Sequence, residues 1–128
     1  RMIGSTRAVR VFAYAEPVDM RKGYEGLGAL VRHSLGRDLL RGDLFLFVGR
    51  GRRRAKVLLF DGTGLCIFMK RLEKGRFAAP WERSRGAREV EMTTSELALL
   101  LEGAELVGRR PLSPTAIVPE DLARWIAT

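Results

Sequence analysis

The 128-residue chain predicts an α+β fold: a small, mainly antiparallel β-sheet, a meander with a basic hairpin, packed with helices. Three observations carry this reading. Three short and almost wholly apolar runs, LFLFV at 44–48, AKVLLF at 55–60 and LCIFM at 65–69, have strand length and are separated by turn-forming stretches. An apolar stripe of Met20, Tyr24, Leu27, Val31 and Leu35 follows helical spacing. Thr93 and Glu96 form the T-x-x-E signature of a helix start.

Arg7 to Ala15 is rich in aromatic and β-branched residues and ends near Pro17, which predicts a first strand. Asp19 is placed to cap a helix over 19–36, stopped at Gly36. Gly23, Gly26 and Gly28 lie inside it, each costing up to about 1 kcal/mol relative to Ala. They predict either close backbone packing or a helix less regular than its stripe. The three central runs then form a meander. Its first connection is the Arg/Gly stretch GRGRRRAK and its second is Asp61-Gly62-Thr63-Gly64. Continuous apolar strands imply cover on both faces, one supplied by the 19–36 helix and the other by a second helix or a partner chain. Arg88 to Met92 predicts one more strand, and Leu97, Leu100 and Leu101 the inner face of a helix ended by Gly103. Pro119, Leu122, Trp125 and Ile126 predict a final short helix. The length suits one domain over 1–128, with a core at about 9–104 and a C-terminal extension over 105–128.

The formal charge is +8, and it is segregated. Gly49 to Arg88 holds twelve Lys or Arg against three acids, whereas the remaining residues hold eleven against twelve. Segregated charge is an electrostatic footprint more than a solubility device. The meander also predicts where it gathers. GRGRRRAK is the tip between the first two runs, and KRLEKGR at 70–76 leaves the third run on the same side of the sheet. Arg50, Arg52, Arg53, Arg54, Lys56, Lys70, Arg71, Lys74 and Arg76 are therefore the candidate nucleic-acid-binding residues. Phe77 and Trp81 stand beside them and are placed to stack on bases, although core packing is the commoner use of both.

Other chemistry finds little purchase. His33 is the only histidine and Cys66 the only cysteine, so neither a His/Cys metal set nor an internal disulfide is available. Asp19, Asp43 and Asp61 have the residue type of a Mg²⁺ site, but their contexts read as helix cap, strand entry and hairpin turn. No catalytic residue and no cofactor is expected. No apolar run approaches the roughly 20 residues of a membrane span, and RMIGSTRAVRVF lacks the apolar block of a signal peptide. A cytoplasmic protein is the expectation.

Several stretches resemble one family. They are DMRKGYEGL at 19–27, GDLFLF at 42–47, KVL at 56–58 with DGTG at 61–64, KRLEKGRF at 70–77 and LLEG at 100–103. Together they resemble the TnpB accessory proteins of the insertion sequence 66 family over about residues 9–104. RDLLRGD at 37–43 lacks the proline turn of that family, and no familiar motif of it stands from Gly108 onward. The resemblance implies a non-catalytic bacterial mobile-element protein that assists a separate DDE transposase. Its expected partners are DNA, at element ends or non-specifically, and the transposase of the same element. Homo-oligomerisation is left open. The alternative is a protein adaptor that docks onto the transposase or another accessory protein through the glycine-rich helix and the final helix.

Overall fold

The computed structural model describes residues 8–103. Five strands form one sheet: β1 (Val11–Tyr14), β2 (Leu44–Val48), β3 (Arg54–Phe60), β4 (Leu65–Arg71) and β5 (Glu89–Met92), in the order β4-β3-β2-β1-β5. The β2-β3-β4 meander is antiparallel, as is the β1–β5 pair, while β1 runs parallel to β2 with Val11 beside Leu44. That parallel pair needs a crossover, and the helical segment between the two strands provides it.

The crossover departs from the expected 19–36 helix. Helix α1 covers Tyr24–Ala29 and passes into a π-helical turn over Leu30–Ser34. Asp19 does not cap it. The cap position is Gly23, with no side-chain hydrogen bond, and Asp19 instead accepts the Arg21 N–H at 2.9 Å. The physical reason is local: a two-residue Asx turn satisfies the carboxylate before the helix can use it. The irregularity predicted from the glycines is present, and Leu27 and Val31 are the stripe residues driven fully inside.

Strand alternation divides the core in two. Phe12, Tyr14, Phe45, Phe47 and Leu58 pack with Leu27, Val31 and Leu39 on the α1 side. Val11, Ala13, Leu44, Leu46, Val48, Val57 and Leu59 pack with Phe77 and with Leu97, Leu100 and Leu101 of helix α2 (Thr94–Glu102) on the other. Every residue of β2 is buried because helices cover both faces, which accounts for the unbroken LFLFV run. The second cover is thus a helix of this chain. The capping box holds, with the Glu96 N–H donating to Thr93 Oγ1 at 3.0 Å and the Thr93 N–H to Glu96 Oε1 at 2.8 Å. The expected final helix at 119–126, and Arg7 of the first strand, lie outside the described residues. Among those described, no helix is long and apolar enough to cross a membrane.

Candidate nucleic-acid interface

The β2–β3 connection turns at Gly49-Arg50-Gly51-Arg52, where the Arg52 N–H donates to the Gly49 carbonyl at 3.0 Å. Arg52 follows in the left-handed region, φ 63°, a conformation that costs a non-glycine residue roughly 1 kcal/mol. It is held there from outside the hairpin. The Phe77 N–H donates to the Arg52 carbonyl at 2.7 Å, and the Leu72 N–H to the Arg53 carbonyl at 2.8 Å. The Arg/Gly tip and the KRLEKGR segment are therefore sewn together by backbone hydrogen bonds.

The register extends the convergence. Arg54 pairs with Arg71 at the ends of β3 and β4. Because β1 parallels β2, the segment after β1 leaves at the same end as the tip, with the Val18 N–H donating to the Val48 carbonyl at 3.0 Å. Because β5 is antiparallel to β1, the 83–88 segment enters from that end too; Arg85 is exposed there, while Arg83 lines a hollow with Met92 and Glu96 on the α2 side and Arg88 donates to the Ser34 carbonyl at 3.0 Å. Four segments, 19–22, 49–54, 70–76 and 83–88, thus carry cations to one end of the sheet. Arg21 and Lys22 are the residues that charge-run reasoning missed. They lie outside the basic stretch in sequence, and only the parallel β1–β2 pairing brings them to it.

The nine candidate residues are not equivalent in place. Arg50, Arg53, Arg54, Arg71, Lys74 and Arg76 are exposed at the end itself. Arg53 lends one guanidinium nitrogen to the Glu73 carbonyl at 3.0 Å, and Arg52 donates Nε to the Phe77 carbonyl at 2.8 Å, so part of their hydrogen-bonding capacity is used internally. Lys56 lies on the α1 side and donates to the Lys22 carbonyl at 2.8 Å. Lys70 points to the opposite face, where its ammonium donates to the Leu101 carbonyl at 2.7 Å near the C-terminus of α2, the negative end of the helix dipole. Phe77 is fully buried in the α2-side core and Trp81 packs against it, so the burial of Phe77 removes it from any stacking role.

Acids at this end are fewer than cations: Glu16 follows β1 and is exposed, and Glu89, the first residue of β5, is held by Arg37. Glu73 lies 3.6 Å from Arg71, with both side chains largely exposed. Asp19 is bound by the Arg21 side chain at 2.8 Å, and these hydrogen bonds, first from the guanidinium and then from the Arg21 N–H, hold its carboxyl well below the usual carboxylate range. Between the 18–21 turn and the hairpin lies a cleft of about 380 Å³.

The remaining chemistry-bearing residues lie elsewhere. Asp61 sits at the other end of the sheet and closes the β3–β4 turn, accepting from the N–H groups of Thr63 at 2.8 Å and Gly64 at 2.9 Å. Asp43 shares that end, buried, and accepts the Arg10 N–H at 3.1 Å. Asp19, Asp43 and Asp61 thus do not meet, and the described residues contain no group of three metal-ligating side chains. Cys66 is half-buried in β4, and burial above all, with Asp61 beside it, pushes its thiol pKa up. His33 is exposed on the π-helical turn.

A family model described as IS66 Orf2 like protein matches residues 9–110. An uncharacterised protein of Sinorhizobium fredii, y4jC, is 36% identical over 119 residues, covering 91% of this chain and 99% of the relative. A second from the same organism, y4hO, is 36% identical over 104 residues, covering 81% and 88% respectively. No solved structure matches.

Proposed function

The chain belongs to the IS66 Orf2-like family of insertion-sequence accessory proteins, and from that premise we propose that it binds DNA through the basic end of its sheet. One observation carries the reading: four separate chain segments deliver their cations to a single end, and the described acids there number too few to neutralise them. Arg54 and Arg71 face each other directly across the β3–β4 ladder. Like charges in that position oppose folding, so a polyanion that neutralises both relieves the protein as well as gaining contacts. Arginine forks suit phosphate oxygens, and the contacts are of the kind that position a protein on a backbone without reading its sequence. In this reading the protein holds DNA for the transposase of the same element.

Electrophoretic mobility shift with linear DNA tests this. Retardation by micromolar protein at low salt, lost as salt is raised, is the expected result; absence of any shift at low salt overturns it. The adaptor alternative draws less support from the glycine-rich helix, because Leu27 and Val31 of its stripe face the core, Met20 and Leu35 are half-buried and Tyr24 alone, 51% exposed, is an exposed residue of that stripe. Co-purification with the transposase from nuclease-treated lysate, with no DNA retardation, would favour it.

A further inference from the structure

The basic end has a hollow in it that phosphate binding does not use. The cleft between the 18–21 turn and the 49–54 hairpin has an apolar and backbone floor: Val18 is buried, and Met20 lies so close over Gly49 that a Cβ there would stand 2.8 Å from Met20 Cγ. Arg21, Arg50 and Arg54 line it as well, and so does Asp19, whose carboxylate is held by the Arg21 guanidinium. Both walls are fixed by backbone hydrogen bonds, from the Val18 N–H to the Val48 carbonyl and from the Gly49 N–H to the Arg54 carbonyl, each 3.0 Å.

A stacked duplex presents phosphates and sugars to such an end. Phosphate gains nothing from a thioether floor, and a carboxylate that occupies the Arg21 guanidinium weakens a plain phosphate site. An unstacked nucleotide uses all three features. Its base face lies on the polarizable Met20 side chain. Its exocyclic amine has the Asp19 carboxylate as acceptor, as cytosine N4 does with acidic side chains. Its flanking phosphates meet the lining arginines. The volume, about 380 Å³, falls in the range of sites that enclose small ligands, roughly 300–1,000 Å³.

We propose that this cleft receives one unstacked base of a single-stranded DNA segment, so that the protein prefers single-stranded or distorted DNA to intact duplex. The proposal rests on the nucleic-acid reading above and specifies its substrate.

Fluorescence anisotropy with an end-labelled single-stranded 20-mer, and with the same 20-mer as blunt duplex, tests it at one salt concentration. The expected result is single-strand binding about fivefold tighter, in line with one thioether–ring contact. Met20→Ala should weaken single-strand binding by about fivefold and leave duplex binding within about twofold, while Met20→Leu, which keeps an apolar floor, restores the preference. A 2-aminopurine in the single strand should change its emission on binding to the wild type and less with Met20→Ala. Thermal melts establish that both variants are folded. Equal affinity for the two DNA forms, or an equal loss of both in Met20→Ala, overturns the cleft proposal while leaving the basic end intact. Failure of both DNAs to bind overturns the nucleic-acid reading itself.

Discussion

Arg52 and Phe77 hold each other reciprocally: the Phe77 N–H donates to the Arg52 carbonyl at 2.7 Å, and Arg52 Nε donates to the Phe77 carbonyl at 2.8 Å. One of these residues is at a cationic hairpin tip and the other is anchored in the core. The pair offsets the left-handed backbone of Arg52 and makes the tip a rigid extension of the sheet. Cations on a fixed frame lose less entropy when they meet a polyanion than cations on a free loop.

Lys70 and Arg54 should behave oppositely, although the sequence offers both as DNA contacts. Arg54→Gln is expected to lower DNA affinity and reduce the salt slope by about 0.7–0.9, the value of one phosphate contact. Lys70→Gln should leave the slope unchanged and instead destabilise the fold by about 1 kcal/mol, because its charged hydrogen bond to Leu101 is internal. Salt titrations of binding beside urea melts of each variant distinguish these outcomes.

Gly49 and Met20 should be energetically coupled. A methyl group on Gly49 meets Met20 Cγ at 2.8 Å, closer than van der Waals contact allows. Gly49→Ala is therefore expected to cost about 1–2 kcal/mol, the range of moderate overpacking. Most of that cost should disappear when Met20→Ala is also present. A double-mutant cycle by chemical denaturation measures it, and simple additivity of the two changes would contradict the contact.

Acid should weaken the β3–β4 turn through Asp61. The N–H groups of Thr63 and Gly64, then the Thr63 hydroxyl, hold its pKa down to about 2. A carboxyl whose pKa is depressed by folding adds stability above its unfolded value near 4, and that contribution is lost as pH falls through the folded value. Wild type should therefore exceed Asp61→Asn in stability at pH 5–6, with the difference shrinking from about pH 4 and nearly gone by about pH 2. Urea melts across that range check it; taking the difference removes the titration of Glu91 and Asp19, whose pKa values are also lowered.

Much of the fold was legible because local rules and packing agreed. The LFLFV run, the DGTG turn and the Thr93–Glu96 capping box each state one local conformation, and tertiary structure preserves all three. The meander's convergence of 49–54 with 70–76 was equally legible, since antiparallel neighbours return to the same end. Asp19 is not legible from sequence, because an aspartate capping a helix and an aspartate in an Asx turn have the same local signature, and Arg21 decides between them.

By itself, the sequence determined the segregation of charge, the three meander strands and the family, all of which are properties of neighbours along a chain; the first strand, read over 7–15, is only Val11–Tyr14. Only the tertiary structure decided which cations share a surface. Arg21 and Lys22 join the basic end because β1 pairs parallel to β2, and Lys70 leaves it because strand alternation turns it toward α2. Pairing direction and the parity of a strand position are set by burial on two sheet faces at once, a condition that no single stretch of residues contains.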